Sequence, residues 1–186
     1  ITHLLPYPAH HGCSLRNLNL IKQCSKSHEI HLLTFYQKAH LHSGYTLEGS
    51  IKEMKKYCSE VQVFRIGSDH NRIKYYFSLL ANLFRKQPYS AGLYQSYEME
   101  AAIKSQLNKC DYDVVEIGEI GLLNYADLCG DIPKVLVHHN VESQLLYRRS
   151  AAAGNSFAKH YLALQAYKLA LWEKRAGVEI DYHTTC

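Results

Sequence analysis

Residues 133–143, PKVLVHHNVES, place His138, His139, Asn140 and Glu142 directly behind the apolar run Val135, Leu136 and Val137, with no turn residue between. Imidazoles gain and lose protons near neutral pH, and carboxamides and carboxylates donate and accept hydrogen bonds. Such groups at the end of a buried strand suit proton transfer or the orientation of a polar ligand. Side chains alternate along a strand, so His138 and His139 point to opposite faces. His139 is therefore the candidate for chemistry, and His138 reads as structural. Asn140 and Glu142 suit either a ligand or the first turn of a following helix.

A second group of this kind is PYPAHHGCSLR, residues 6–16, which holds His11, Gly12, Cys13 and Arg16. Gly12 stands just before a helical pattern. A helix start presents free N–H groups and partial positive charge, which attract phosphate or carboxylate, and glycine there lets a ligand approach the backbone; taken alone, the stretch reads equally well as a plain turn with its glycine. Arg16, one turn on, can orient an anion or brace the loop. A third group, Glu116 to Glu119, follows the strand-like stretch DYDVV at 111–115. His10 and His11 add imidazoles, yet no Asp or Cys completes a ligand spacing, so no metal is expected. The dinucleotide fingerprint G-x-G-x-x-G is absent, which disfavours a nicotinamide enzyme, and no cofactor is expected.

The elements that must position these groups alternate in type. Strands are predicted at 3–7, 28–36, 61–67, 111–119, 133–140 and from 178 onward. Between them, helices are predicted at 14–26 with Ser14 as N-cap, 47–59, 71–86, 96–109, 120–129 closed by Gly130, 141–152, and 159–176 closed by Gly177. Strands separated by helices of this length imply right-handed crossovers and a mostly parallel sheet. The predicted fold is α/β: a doubly wound, Rossmann-like sheet with helices on both faces, in a single domain over 1–186. Ligands of such sheets bind beyond the carboxyl ends of the strands, and all three polar groups lie there.

The composition is that of a globular protein, with 47% hydrophobic and 20% charged residues. A net charge of +4 is too mild to point to nucleic acid. The six cysteines form no C-x-x-C pair and are too sparse for a disulfide framework. They read as reduced thiols in a cytoplasmic protein. No apolar run reaches the length of a membrane span. The chain does not open with Met and reads as a fragment. The stretch 71–86, NRIKYYFSLLANLFRK, mixes aromatic and basic residues. It reads first as a core helix with solvated basic ends. The alternative is a helix lying peripherally on the inner face of an anionic membrane.

Together these stretches resemble the N-terminal domain of GT-B glycosyltransferases of glycosyltransferase family 4. The resemblance rests on residues 5–35, on YDVVEI at 112–117, on KVLVHHNVES at 134–143, and on the long helix with Trp172 and Glu173 followed by VEIDYHTT. The third stretch is similar to the His-Asn-x-Glu segment of a bacterial sugar-transferase subgroup. Where the family commonly has two adjacent glycines, this chain has Gly12 and Cys13.

The resemblance implies transfer of a sugar from a nucleotide donor, with retention, to a glycan or lipid-linked acceptor in a cleft between two domains. By the same resemblance His139 is the catalytic candidate, reaching the transferring sugar or the acceptor. Gly12, Cys13 and Arg16 form the loop by the donor phosphate or acceptor. His11, Glu119, Asn140 and Glu142 serve the acceptor. The nucleotide-sugar domain is absent from this sequence, so the fragment alone is expected to be inactive. The alternative reading is a non-catalytic Rossmann-like ligand-binding or regulatory module.

Overall fold

The computed structural model describes residues 1–37, 41, 44–66 and 72–185. Gly67 of the expected strand 61–67, Asn71 of the expected helix 71–86, and Cys186 lie outside the described residues, as do the side chains of Arg72, Lys74 and Tyr75.

The chain is α/β, and every strand pairing is parallel. Strand β1 (His31–Tyr36) pairs with β2 (Glu60–Arg65), His31 facing Glu60 and Tyr36 facing Arg65. A second ladder runs in the order β3 (Val115–Ile117), β4 (Lys134–His138), β5 (Tyr182–Thr185). The strand expected at 3–7 is instead an irregular extended segment. Pro6 and Pro8 have no N–H to extend a ladder. The segment nevertheless stitches the two ladders together. Thr2 N–H donates to Leu33 C=O (3.0 Å), and Phe35 N–H donates to Thr2 C=O (3.2 Å). Across its other side Gly118 N–H donates to Ile1 C=O (2.8 Å). A Cβ on Gly118 would lie 3.0 Å from that carbonyl oxygen and 3.3 Å from Thr2 Cα, so this close approach needs glycine.

Helix α1 (Gly12–Cys24) starts earlier than predicted. Its N-cap is His11 rather than Ser14, and Ser14 is buried in the first turn. Leu18 packs inward, whereas Leu15 stays half exposed. Helix α2 (Leu47–Met54) is capped by the Thr46 hydroxyl, which accepts from Gly49 N–H (3.0 Å). Helix α3 (Arg72–Asn82) is shorter than predicted, and a five-residue helix α4 (Tyr89–Leu93) follows Pro88. Helix α5 (Tyr97–Lys109) starts at its Ser96 cap. The expected helix at 120–129 is a 3₁₀ segment, Ile120–Cys129, ending at Gly130 with φ +55°. Helix α6 is Glu142–Ala152. Helix α7 (Ser156–Glu179) runs through Gly177 instead of ending before it. Among the described residues no helix is long and apolar enough to cross a membrane.

The core has two parts. Phe35, Ile117, Leu122 and Leu136 pack with Met99 of α5 and Leu169 of α7, and Leu5, Leu18, Leu32 and Met54 lie beneath α1 and α2. Full burial of such side chains contributes about 1.5–3 kcal/mol each. The described cysteines, 13, 24, 58, 110 and 129, are free thiols.

The core-helix expectation for 71–86 fails over its C-terminal part. Tyr76, Phe77 and Leu80 are exposed, and Phe84 is 89% exposed. A polar network holds the last residue of α3. Lys168 Nζ donates to Asn82 C=O (2.5 Å), Gln165 Nε2 donates to Asn82 Oδ1 (2.7 Å), and Asn82 Nδ2 donates to Gln87 C=O (3.1 Å). The helix is thus fastened to α7 through one asparagine, while Tyr76 and Phe77 are exposed.

Candidate functional site

The carboxyl ends of the strands bring three distant stretches together around His3, a residue that sequence reasoning placed inside a strand. Cys13 Sγ, in the first turn of α1, lies 4.0 Å from His3 Nε2. His3 Nδ1 lies 3.2 Å from Glu119 Oε2. The His3 ring meets the His139 ring edge-on, centroids 6.2 Å apart, and the Tyr94 ring at 6.0 Å. Cys13 in the α1 start, Glu119 two residues past β3 and His139 one residue past β4 therefore meet around one imidazole.

His139 sits one residue past β4. Its Nε2–H donates to Gly118 C=O (3.1 Å), which fixes the tautomer and anchors the ring to the end of β3. His138, as expected from alternation, turns away. Its ring stacks on His183 of β5, centroids 5.1 Å apart, with Nε2 2.9 Å from His183 Nδ1. Burial, then the neighbouring His183, holds its pKa below the usual imidazole value. The stacked pair joins β4 to β5 across their parallel ladder.

Glu119 is the electrostatic centre of the cleft. Burial, and secondarily the charge of Glu142, pushes its carboxyl up to about 8 from 4.5. A carboxyl poised there can hold or release a proton near neutral pH. Burial also raises the Tyr94 phenol, helped by Glu119, Cys13 and Glu142, so Tyr94 stays a neutral hydrogen-bonding group. Gly121 makes this packing possible: a Cβ there would come within 2.9 Å of Glu119 Oε1 and 3.1 Å of the Tyr94 ring.

The α1 start is open. The intrahelical ladder begins with Leu15 N–H donating to His11 C=O (2.9 Å), so the N–H groups of Gly12, Cys13 and Ser14 have no helical partner. The His11 side chain makes no capping bond to them, and a Cβ on Gly12 would meet nothing within 4 Å. The buried Ser14 Oγ has no protein partner, and neither does Arg16 Nη1. This is the arrangement that receives an anion.

The acceptor-side candidates divide. Glu142 opens α6 and senses Glu119 electrostatically. Asn140 is exposed and donates through Nδ2 to Glu142 Oε1 (3.2 Å), so it orders the loop. The N-cap of α6 is Val141, not Asn140. The α6 start is served instead by Glu173 of α7, whose carboxylate accepts from Ser143 N–H (3.1 Å) and Ser143 Oγ–H (2.6 Å). His11 is exposed at the mouth, and His10 packs edge-on against Tyr45, centroids 5.4 Å apart. Arg16 is not tied to the His3–Glu119 pair. Glu116 lies mid-strand rather than at the cleft, and lines a cavity of about 360 Å³ toward the other end of the seam, with Ile1, Leu33, Ile103, Tyr112 and Val115. No group of His, Cys, Asp and Glu that could hold a metal ion occurs among the described residues.

His3 and Tyr94 escaped sequence reading. His3 carried a signal, as the one titratable residue at the start of the predicted strand 3–7; Tyr94 lies in no predicted element. The chain matches no protein-family model, no curated protein and no solved structure.

Proposed function

We propose that these residues form the acceptor-side half of a retaining glycosyltransferase of GT-B architecture, resembling glycosyltransferase family 4, in which the two parallel ladders and the seam between them act as one doubly wound sheet. The observation that carries the reading is the convergence of the α1 start, His139 and Glu119 on a single cleft about His3.

In this reading the free N–H groups of Gly12 and Cys13 face a diphosphate oxygen supplied by the donor domain. Oriented N–H dipoles stabilise the charge that grows as the diphosphate departs, and they need no rearrangement at that moment. His139, its ring fixed by Gly118, positions the sugar or the acceptor hydroxyl. Glu119 and His3 hold the acceptor and can take up or return its proton. Glu142 and Asn140 shape the acceptor entrance. The work is mainly positioning, as expected where no protein nucleophile is required. The partners are a nucleotide sugar and a glycan or lipid-linked acceptor. The setting is the cytoplasm, with contact at the inner face of the membrane through the exposed aromatic residues of α3.

The test is a donor screen on a protein carrying this domain together with its nucleotide-sugar domain. Release of nucleoside diphosphate, dependent on acceptor, is expected from at least one nucleotide sugar. His139→Ala should lower kcat by at least about a hundredfold while the thermal transition stays within a few degrees. Residues 1–186 alone should bind nucleotide sugars weakly. Micromolar binding to this fragment without turnover by the longer protein would overturn the reading in favour of a ligand-binding module.

A further inference from the structure

Cys13, His3 and Glu119 form a row of thiol, imidazole and carboxyl: Sγ is 4.0 Å from Nε2, and Nδ1 on the far side of the ring is 3.2 Å from Oε2. This is the ordering in which a nucleophile is served by a base and the base is held by a third group. Two further features favour the sulfur. Cys13 lies in the first turn of α1, where the helix dipole and unpaired N–H groups stabilise negative charge. The thiol is also half-buried rather than sealed, so a small reagent can reach it. The other groups facing the row are Tyr94 after α4, His139 after β4 and Glu142 of α6. Cys58 and Cys129 have none of this: both are buried, and burial raises their pKa, that of Cys58 to about 11.

We propose that Cys13 is a nucleophilic thiol primed by His3 and Glu119, and that it is a site of S-thiolation by low-molecular-weight disulfides. In the step, the Cys13 sulfur attacks one sulfur of the disulfide as its proton passes to His3 Nε2. The S–S bond of the reagent breaks, a mixed disulfide forms on Cys13, and the departing thiolate takes the proton back from His3. Cys13 is oxidised by the same electron pair that reduces the reagent. The adduct then stands at the α1 start, whatever ligand that cleft holds.

The test uses the whole chain with an aromatic disulfide and with oxidised glutathione, the modified cysteines being assigned by peptide mass spectrometry. At pH 7, Cys13 should react at least about tenfold faster than Cys24, Cys110 and the same cysteine in a synthetic peptide of residues 8–18. His3→Gln should remove that advantage and leave Cys24 and Cys110 unchanged. Continued inertness of Cys58 and Cys129 reports that the variant is folded. If they become reactive, Glu119→Gln takes its place, and partial loss of the Cys13 advantage is expected. Equal rates for Cys13 in the folded chain and in the peptide, or full reactivity in a folded His3→Gln variant, overturn the proposal.

Discussion

At the scale of single residues, Glu119 decides the behaviour of the cleft. Its folded pKa of about 8 exceeds the ordinary value of 4.5, so the folded state keeps a proton that the unfolded chain releases. Between those two values the unfolded state binds fewer protons, and stability falls as pH rises. Since 23% of the side chain still opens to the cleft, the loss should be about 1–2 kcal/mol rather than the full burial cost. Urea titrations at pH 5 and pH 8 should show this difference, and Glu119→Gln, which cannot ionise, should flatten it. A Glu119→Gln profile as steep as wild type would place the titrating group elsewhere. The site is half legible in sequence at this scale. His139, Glu119 and Cys13 each follow a strand or open a helix, positions that parallel-sheet topology assigns to ligands. His3 and Tyr94 join them only through contacts across the fold, which local pattern does not encode.

At the scale of elements, periodicity locates the helices but not their caps: Ser14, read as a cap, lies inside α1, and the Asn155 cap starts α7 three residues before the predicted 159. Ser96 before α5 accepts from Met99 N–H, and Asn155 before α7 accepts from Phe157 N–H, as residues of their kind should. Pattern misleads where packing overrides it. Gly177 does not end α7, because it lies on an exposed face next to the buried Ala176, and glycine within a helix costs only about 1 kcal/mol. The 3₁₀ segment Ile120–Cys129 is buried nearly all round and so has no polar stripe from which to tell its type. The α6 start depends on a partner invisible in its own sequence. Glu173→Ala should cost about 1–2 kcal/mol by chemical denaturation, since two Ser143 hydrogen bonds go with it. In α3 and the residues just after it, Phe77, Leu80 and Phe84 are exposed, and the basic Arg85 and Lys86 follow in sequence. Co-sedimentation with vesicles containing anionic lipid is expected, weakening at least about threefold in Phe84→Asp and vanishing on neutral vesicles. Equal binding to neutral vesicles would rule out the electrostatic part.

At the scale of the whole molecule, the two ladders depend on the seam at Ile1–Leu5. Gly118 is where β3 meets it, and the atoms a Cβ would strike are backbone, which cannot swing aside. Gly118→Ala should therefore cost about 1–3 kcal/mol and speed hydrogen exchange at Thr2 and Phe35, while amides within β2 change little. Unchanged exchange at Thr2 would mean that the ladders hold together without this approach. The α/β class and the parallel pairing were legible from alternating strands and helices. The irregular seam was not, because Pro6 and Pro8 directly after it stop the pairing from extending into a strand while its few bonds still join both sides.

His3 follows Thr2 in the seam, while Glu119 follows Gly118, the residue bonded across it. The 3.2 Å spacing between imidazole and carboxyl is therefore set by the same backbone that closes the seam. Backbone pairing and side-chain pairing thus share one strip of chain, so the bonds that join the ladders also set where His3 and Glu119 stand.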